Sequence, residues 1–506
     1  MTGYVRYVLN GLNQDVPPSE VPPDTWTDLN SMVNRDGFMR RAQGNTSIQT
    51  ATANYALFWL PQTDATGKLW YVGLGANQAY SFDGTVRFPV STSFANFTPG
   101  AWLPGQITGG VINNIAVFNA PAQIPMATGQ NDPGLLNRFV TGGNGWTATT
   151  SVGVMRTFKN HIFAGNYAFA SSLGPDILGW SSAATPAGGL PTEWVATSTN
   201  DARQISLGDS PGAIVDMVPL RDSLLVFKRD AMYTLQFIGG ASVFSSRKVT
   251  DSFGMVGPNC AVDIGGQLVV LTPSDVVLTD GQSFKSIASQ QVQRAMQAYA
   301  GLGTGPRSWV AYDEANRNVV IGLIPTGGAT SAQIAYVYNT VTALWSVQTL
   351  VGTGGSFQGV PYASYQQKPG IAPQPLALMG IEATPAALGS YVTLQTNNLF
   401  LDGAAINGIV YRYSLDLGEP DAVKTVTRVD LNLKCSDAAV VTLKISGQMD
   451  ESQTVAFGPP ITATKALNWQ VPCFAVGRFI SLEIASVEPG WECHGFGLVT
   501  GTTSPY

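Results

Sequence analysis

A short apolar strand recurs along the middle of the chain at a near-constant interval. It reads LWYVGL at 69–74, IAVFNA at 115–120, HIFAGN at 161–166, LLVFKR at 224–229, LVVLTP at 268–273 and VVIGLI at 319–324. The starts lie 46, 46, 63, 44 and 51 residues apart, and the longest interval contains the insertion GWSSAATPAGGLPTEW at 179–194. A second strand closely follows four of the six. Each unit therefore contains about two hairpins of strand.

A repeat of this length is typical of β-propeller blades. One four-stranded sheet buries its two faces poorly, whereas sheets stacked radially bury both faces and hide most edges. Six units are visible between about 50 and 350, and the two chain ends could supply a seventh. A pair of β-sandwich domains is the alternative, and the long period disfavours it because single sandwich strands recur about every 8–12 residues.

The remaining chain is also β-rich. We predict an N-terminal extended segment at 1–50, a propeller of six or seven blades at 51–350, a Gly/Pro/Gln-rich linker at 351–388 and a C-terminal antiparallel β-sandwich-like domain at 389–506. Apolar spacing predicts a helix at 287–300, which Ser289 could cap, and a second helix at 25–35.

Composition excludes several classes of protein. The chain has 27 Lys and Arg against 33 Asp and Glu, for a net charge of −6, and no basic stripe of the kind that holds nucleic acid. Four cysteines in 506 residues do not make a disulfide scaffold. The N-terminus lacks the pattern of a signal peptide, and no apolar run reaches the length of a membrane span. We expect a protein that folds in the cytoplasm with reduced thiols and does not insert into a membrane.

No catalytic pattern stands out. The two histidines, His161 and His494, have no partner at metal-ligand spacing, and neither a phosphate-binding loop nor a nucleophile elbow occurs. The Asp-Gly pairs indicate hairpin turns. Tyr338 and Trp345 have the spacing of aromatic residues that pack between neighbouring strands of a blade. We therefore expect no enzyme activity, no metal and no cofactor.

Three stretches together resemble a known family: residues 12–44, ending in NRDGFMRRAQG; residues 177–194, ILGWSSAATPAGGLPTEW; and residues 201–281, from DARQISLGDSPGAIVDMV to PSDVVLTDG. They are similar to the tail nozzle, tail tube or packaged-DNA stabilisation proteins of short-tailed phages. The resemblance covers roughly residues 12–300. It implies a homo-oligomeric ring, usually a hexamer, in the virion tail. It also implies contacts with an adaptor or portal-side protein and with a tail fibre or spike, and passage of DNA through the ring without sequence-specific binding.

The interface candidates follow from these stretches. Arg35, Arg40 and Arg41 are expected where the N-terminal segment crosses to the propeller, as salt-bridging or carbonyl-binding groups, or else in an ordinary exposed hairpin. Trp180 and Trp194 flank the insertion, either as interface residues or as a small core of their own. The alternative function is a carbohydrate-binding or carbohydrate-active propeller of a tailspike-like protein, in which paired aromatic residues stack on sugars.

Overall fold

The regular secondary structure of the described residues is almost entirely β-strand. The computed structural model describes residues 2–47, 56–75, 79–83, 87–92, 105–120, 124–138, 152–169, 172–185, 188–191, 193–300, 308–314, 316–325, 332–352, 355–366, 374–383, 391–394, 400–401 and 404–503. Across these ranges there is one α-helix, Gln293–Ala300, and there are two 3₁₀ segments, Gly240–Ser242 and Lys465–Leu467.

Six sets of four antiparallel strands follow one another along the chain and form blades 1 to 6. Blade 1 contains Ala56–Thr63, Leu69–Gly75, Ala79–Phe82 and Arg87–Pro89; blade 2 contains Thr108–Ile112, Ile115–Asn119, Met126–Gly129 and Asp132–Arg138; blade 3 contains Val152–Phe158, His161–Phe169, Ser172–Trp180 and Arg203–Ser206. Blade 4 contains Ile214–Leu220, Ser223–Lys228, Met232–Phe237 and Phe244–Thr250; blade 5 contains Ala261–Asp263, Leu268–Leu271, Val276–Thr279 and Phe284–Ser286; blade 6 contains Trp309–Asp313, Asn318–Leu323, Ile334–Asn339 and Trp345–Thr349. The short strand Ser91–Thr92 adds to blade 2 in parallel.

The recurring strand of the sequence is the second strand of each blade. This position is buried on both faces between neighbouring blades, so every residue of Ile115–Asn119 and of Leu268–Leu271 is buried. The first strand of each blade lies closest to the axis and carries a weaker apolar pattern, as in TGGVI at Thr108–Ile112. The repeated sequence therefore marks the second strand of each blade and not the first, although its period matches that of the blades.

A seventh blade closes the circle. It consists of Gly355–Gln366, Gln374–Ala383 and Tyr391–Leu394, and its fourth strand is Asn45–Ser47 from the other end of the chain. The short strand Val351–Gly352 pairs with the start of the first of these strands. The innermost strand of this blade contacts the innermost strands of both blade 6 and blade 1. The described strands thus form a seven-bladed propeller, with the seventh blade assembled from both chain ends as predicted.

The linker predicted at 351–388 is wrong, because two strands of the seventh blade lie there. The Gly/Pro/Gln-rich composition of this stretch hid the period-two alternation by which strands are recognised. Backbone pairing in a ladder needs no particular side chain, so neighbouring strands can hold such a sequence in a sheet.

The N-terminal residues belong to the sandwich and are not a separate extended segment. One layer contains Met32–Arg35, Phe38–Arg41, Glu492–Thr503, Val423–Lys434 and Gln470–Gly477, with Thr2–Val8 also paired to Glu492–Thr503. The other contains Asp28–Asn30, Gly408–Leu415, Phe479–Ser486, Val441–Gln448 and Ile461–Ala463. Two small pairs complete the strands: Asn10–Leu12 with Thr25–Trp26, and Phe400–Leu401 with Ala404–Ala405.

The sandwich and the propeller share one sheet and one core. Met32 pairs with Val347 of the outermost strand of blade 6, so the blade continues through the hairpin Met32–Arg41 into the sandwich. Trp26 and Trp491 are completely buried, in a cluster that also contains residues of blades 4 to 6. The two units are therefore joined by both backbone pairing and apolar burial.

A buried arginine holds the Pro-rich loop that precedes Trp26. Arg412 is 2% exposed and donates from Nη1 to the carbonyl oxygen of Pro18 at 2.9 Å and from Nη2 to that of Val21 at 2.8 Å. Proline cannot donate a backbone hydrogen bond, so this loop can form few bonds of its own. A fixed guanidinium supplies the missing donors.

The single described helix is capped by a residue almost three hundred positions away. Asp15 Oδ2 accepts from the backbone nitrogen of Gln293 at 2.9 Å, and its Oδ1 accepts from that of Arg294 at 2.8 Å. The helix begins later than predicted, and Asp15 takes the capping role proposed for Ser289. The predicted helix at 25–35 is wrong: its apolar residues lie on strands, because Asp28–Asn30 pairs with Gly408–Leu415.

Replacing Asp15 by alanine should lower the free energy of unfolding by about 1–2 kcal/mol, because the first turn of the helix loses its acceptor and its negative charge. The midpoint of urea denaturation measures this loss. Glu20→Ala changes an exposed carboxylate in the same loop and should leave the midpoint unchanged. Equal midpoints for the wild type and Asp15→Ala would contradict the assigned cap.

Candidate functional site

The axis of the propeller is crossed by a buried network of charged and polar side chains. Arg156 in the innermost strand of blade 3 forms a two-pronged ion pair with Asp216 in that of blade 4, with Nε–Oδ1 at 2.9 Å and Nη2–Oδ2 at 2.7 Å. Nη2 also donates to Oδ1 of Asn259, before blade 5, at 2.7 Å, and Nη1 donates to the Gly109 carbonyl of blade 2 at 3.3 Å. The backbone nitrogen of Val310 in blade 6 donates to the Asn259 carbonyl. One network thus joins five consecutive blades.

The network satisfies its own members. The Asp216 side chain is fully buried, and its Oδ2 also accepts from the backbone nitrogen of Asn259 at 2.8 Å. The Asn259 amide donates to the carbonyls of Gly105 and Ile107 at 3.1 and 2.9 Å. A cavity of about 290 Å³ remains beside Arg156, lined by residues of blades 2 to 6. A buried ion pair with complete hydrogen bonding fixes the relative positions of the blades and leaves no group poised to react.

Neither histidine is placed as a catalytic base. His161 is buried, its Nδ1 lies 2.8 Å from the Ser181 carbonyl, and burial lowers its pKa. His494 stacks on Phe38 with ring centroids 3.9 Å apart, and its Nε2 lies 3.3 Å from a carboxylate oxygen of Glu492. Among the described residues, no group of three or more His, Cys, Asp or Glu side chains could hold a metal ion.

The four cysteines are free thiols with little reactivity. Cys260 and Cys493 are buried, whereas Cys435 and Cys473 are partly exposed. Burial raises the pKa of Cys473 to about 11 and that of Cys493 to about 12, and it also raises the pKa of Cys260. The thiolate is the nucleophile and the metal ligand, so neutral thiols serve as packing groups here.

Trp180 and Trp194 lie inside the propeller, which corrects their prediction as interface residues. Trp180 is 1% exposed and donates from Nε1 to the Asp201 carbonyl at 2.9 Å. Trp194 is 4% exposed and packs with Ile112 and Ile162 of the neighbouring blades. The insertion folds back, and its indoles fill space within and between the blades. The core role that the sequence left open fits this burial.

The three arginines of the N-terminal hairpin line one cleft. It lies between this hairpin and blade 6, has a volume of about 260 Å³ and includes Arg35, Arg40 and Arg41 in its walls. Arg40 Nε lies 3.9 Å from Glu492, and Arg41 Nη1 donates to the Ile406 carbonyl at 3.3 Å. The structure therefore brings these residues together where the N-terminal segment meets the propeller.

Sequence reasoning missed the axial network and the fourth arginine of the cleft, Arg317. Arg156 and Asp216 are isolated charged residues in the otherwise uncharged strands VGVMRTF and IVDMVPL. Such an isolated charge in a strand is the sequence feature that could have indicated a buried ion pair. A buried charge in the innermost strand of a blade needs an opposite charge or hydrogen-bond partners from the neighbouring strands. The partner cannot be identified without the blade order.

Comparisons with known proteins return propellers at low similarity. No family model matches the chain, and no curated protein matches it. Solved structures similar to the chain include YCF48 from Cyanidioschyzon merolae, at 9% identity and TM-score 0.39 over 70% of this chain and 99% of that one. They also include the Pan2 WD40 domain of Neurospora crassa, at 10% identity and TM-score 0.37 over 71% and 97%. An exo-beta-1,3-galactanase from Phanerochaete chrysosporium matches at 9% identity and TM-score 0.27 over 80% and 98%. No described helix is long and apolar enough to span a membrane.

Replacing Asp216 by alanine should lower the free energy of unfolding by about 3–5 kcal/mol, because Arg156 is left largely buried without its counter-charge. Asp222→Ala is the matched control: it removes the exposed partner of Lys159, from the turn that follows the same strand, and should cost at most about 1 kcal/mol. Chemical denaturation followed by tryptophan fluorescence measures both. Equal decreases in the free energy of unfolding for the two variants would show that the axial ion pair contributes no more to stability than the exposed one.

Alkylation should separate the cysteines by burial. In the native protein at pH 8, iodoacetamide should leave Cys260 and Cys493 unmodified because both are buried. Cys435 and Cys473 should react slowly, because burial raises the pKa of both thiols and keeps them largely protonated at this pH. Mass spectrometry of tryptic peptides identifies the modified sites. Denaturant should make all four react alike. Rapid labelling of Cys260 before unfolding would contradict the described core.

Proposed function

We propose that this chain is a structural virion protein of a short-tailed phage, a subunit of the tail nozzle or tail tube ring below the portal and adaptor. In this role it conducts and retains the genome and anchors tail fibres or spikes. The proposal rests on the resemblance carried by residues 12–300 and on a propeller whose axial charged side chains are paired with one another. It makes the chain a scaffold without enzyme activity.

The observation that carries the proposal is the closed axis of the propeller. Propellers commonly use the axial region for ligands, but here Arg156, Asp216 and Asn259 occupy it with their hydrogen bonds mutually satisfied. The remaining cavity of about 290 Å³ is far too small for a duplex whose major groove alone is about 12 Å wide. If DNA passes this protein, the passage must be enclosed by several copies around a common axis.

The net charge and the pairing of the basic side chains support a DNA channel that does not hold DNA by electrostatic attraction. The net charge is −6, and the basic side chains of the described residues are mostly engaged locally, as Arg156 is with Asp216 and Lys444 with Glu483 at 2.8 Å. A groove that grips the phosphate backbone needs unpaired lysine and arginine along its length. A weakly acidic lumen would let the genome slide during ejection.

The pairing of strands from both ends of the chain supports a structural role for this subunit. Both termini pair within the sandwich, and the N-terminal segment goes on to supply a strand to blade 7. Neither end is free to detach without breaking a sheet. This is the construction expected of a subunit that keeps fixed contacts with an adaptor on one side and a fibre or spike on the other.

The carbohydrate alternative loses one of the two aromatic pairs that suggested it. The tryptophans proposed to stack on sugars, Trp180 and Trp194, are buried. The aromatic pair that is partly exposed, Tyr411 and Tyr413, stacks on itself with ring centroids 5.4 Å apart. We expect the protein to be silent on a glycan array and in polysaccharide hydrolysis assays, and turnover in such an assay would favour the alternative.

The purified protein, alone or added to adaptor–portal rings, should assemble into closed rings. Mass photometry should give a species of about six times 53.5 kDa, and negative-stain microscopy should show a central opening. Adaptor rings should recruit the protein, whereas portal rings without adaptor serve as the control. A strictly monomeric protein that adaptor rings fail to recruit would refute the proposal.

A further inference from the structure

The cleft between the N-terminal hairpin and blade 6 concentrates positive charge in an acidic protein. Four guanidinium groups line it, those of Arg35, Arg40, Arg41 and Arg317. Two carboxylates, Asp36 and Asp313, line it as well, and Glu492 pairs with Arg40 from outside at 3.9 Å. Arg35 and Arg317 are exposed residues.

Two side-chain acceptors in the wall formed by blade 6 already accept hydrogen bonds from the protein. Oδ2 of Asp313 accepts from Nδ2 of Asn316 at 2.6 Å. Oδ1 of Asn339 accepts from the backbone nitrogens of Val341 and Thr342 at 3.0 and 2.9 Å. These bonds fix the two turns of blade 6 that form one wall.

A donor in the opposite wall remains unused. Asn34 is 1% exposed, its Oδ1 accepts from Thr342 Oγ1 at 2.8 Å, and its backbone nitrogen donates to Ser346 Oγ at 3.2 Å. Its Nδ2 has no hydrogen-bond partner. Buried polar groups are nearly always paired, so an isolated buried donor next to a cleft indicates a missing acceptor.

We infer that this cleft binds a compact oxyanion, a carboxylate or phosphate group, through Arg35 and neighbouring guanidinium groups. Guanidinium forks match the planar oxygen pair of a carboxylate and the oxygens of a phosphate. The volume of about 260 Å³ admits a group of a few heavy atoms and excludes a large ligand. The site is independent of the ring and of the family resemblance, so it stands or falls separately from the proposed function.

The oxyanion could be free in solution or could belong to an acidic side chain of a bound protein. Titration of the purified full-length chain with inorganic phosphate and, separately, with acetate distinguishes the two chemistries, with ionic strength held constant by sodium chloride so that general screening does not change. Saturable binding of phosphate with weak binding of acetate identifies a phosphate site. The reverse identifies a site for a carboxylate side chain. Either outcome supports the oxyanion site.

Three single variants test the assignment of residues by isothermal titration calorimetry. Arg35→Gln should weaken binding about tenfold, because one charge-assisted hydrogen bond is lost. Asp36→Asn should strengthen binding, because an opposing carboxylate is removed and asparagine tolerates the left-handed conformation of this turn residue, φ 53°. Arg6→Gln removes an exposed arginine elsewhere and should leave binding unchanged.

Two results of these titrations would refute the proposed oxyanion site. Saturable binding of neither phosphate nor acetate by the wild type would refute the site. Wild-type affinity in the Arg35→Gln variant would also refute the site. Thermal unfolding of each variant without ligand checks that all are folded, and the exposed positions of Arg35, Asp36 and Arg6 make this the expected result. Ring assembly is scored separately on the wild type.

Discussion

Closure of the propeller by a strand from the opposite end of the chain is the constraint on which the rest of the structure depends. A circle of blades is stable only if the last sheet is completed beside the first, since otherwise two sheet edges stay open. Here Asn45–Ser47 completes the seventh blade, directly before the chain enters blade 1. The preceding residues must therefore lie near the outer edge of blade 7. From there they reach the sandwich and pair with both of its layers.

Buried basic side chains hold this architecture through carbonyl groups more than through acids. Lys228 is completely buried, donates to the carbonyls of Leu207 and Ser210 at 2.7 Å each, and has its pKa lowered by burial. Arg412 likewise donates to a carbonyl of the Pro-rich loop, and Lys424 donates to the Arg478 carbonyl at 2.8 Å. Each cation organises a loop whose own backbone groups lack partners. This explains how a chain with few charges can bury several of them.

The parts of the fold predicted from sequence are those in which local pattern and final environment agree. The second strand of each blade is apolar on both faces because both faces are buried. Tyr338 and Trp345 were expected to pack on neighbouring strands, and they lie directly opposite each other with ring centroids 5.1 Å apart. Asp280 accepts from the backbone nitrogens of Gln282 and Ser283, as an Asp-Gly turn predicts.

The parts that sequence did not reveal depend on contacts between distant residues. Asp15 caps a helix 278 residues away, and nothing in its neighbourhood marks it as a cap. Trp26 and Leu29 have helical spacing, yet pairing with Gly408–Leu415 holds them in strands. In the candidate site, the hairpin arginines could be placed near the propeller from their position in the chain. The unused donor of Asn34 and the contribution of Arg317 could not, because they depend on how the hairpin docks.

The pairing of Thr2–Val8 with Glu492–Thr503 has a consequence for biosynthesis. Thr2–Val8 is translated long before Glu492–Thr503, so this strand pair cannot form until the later strand has left the ribosome. Until then the early strands must wait with open edges, which exposes them to wrong partners, and they complete their sheet only by a slow, long-range encounter. Chaperone occupancy of the emerging N-terminus would shorten the time during which these edges are unprotected.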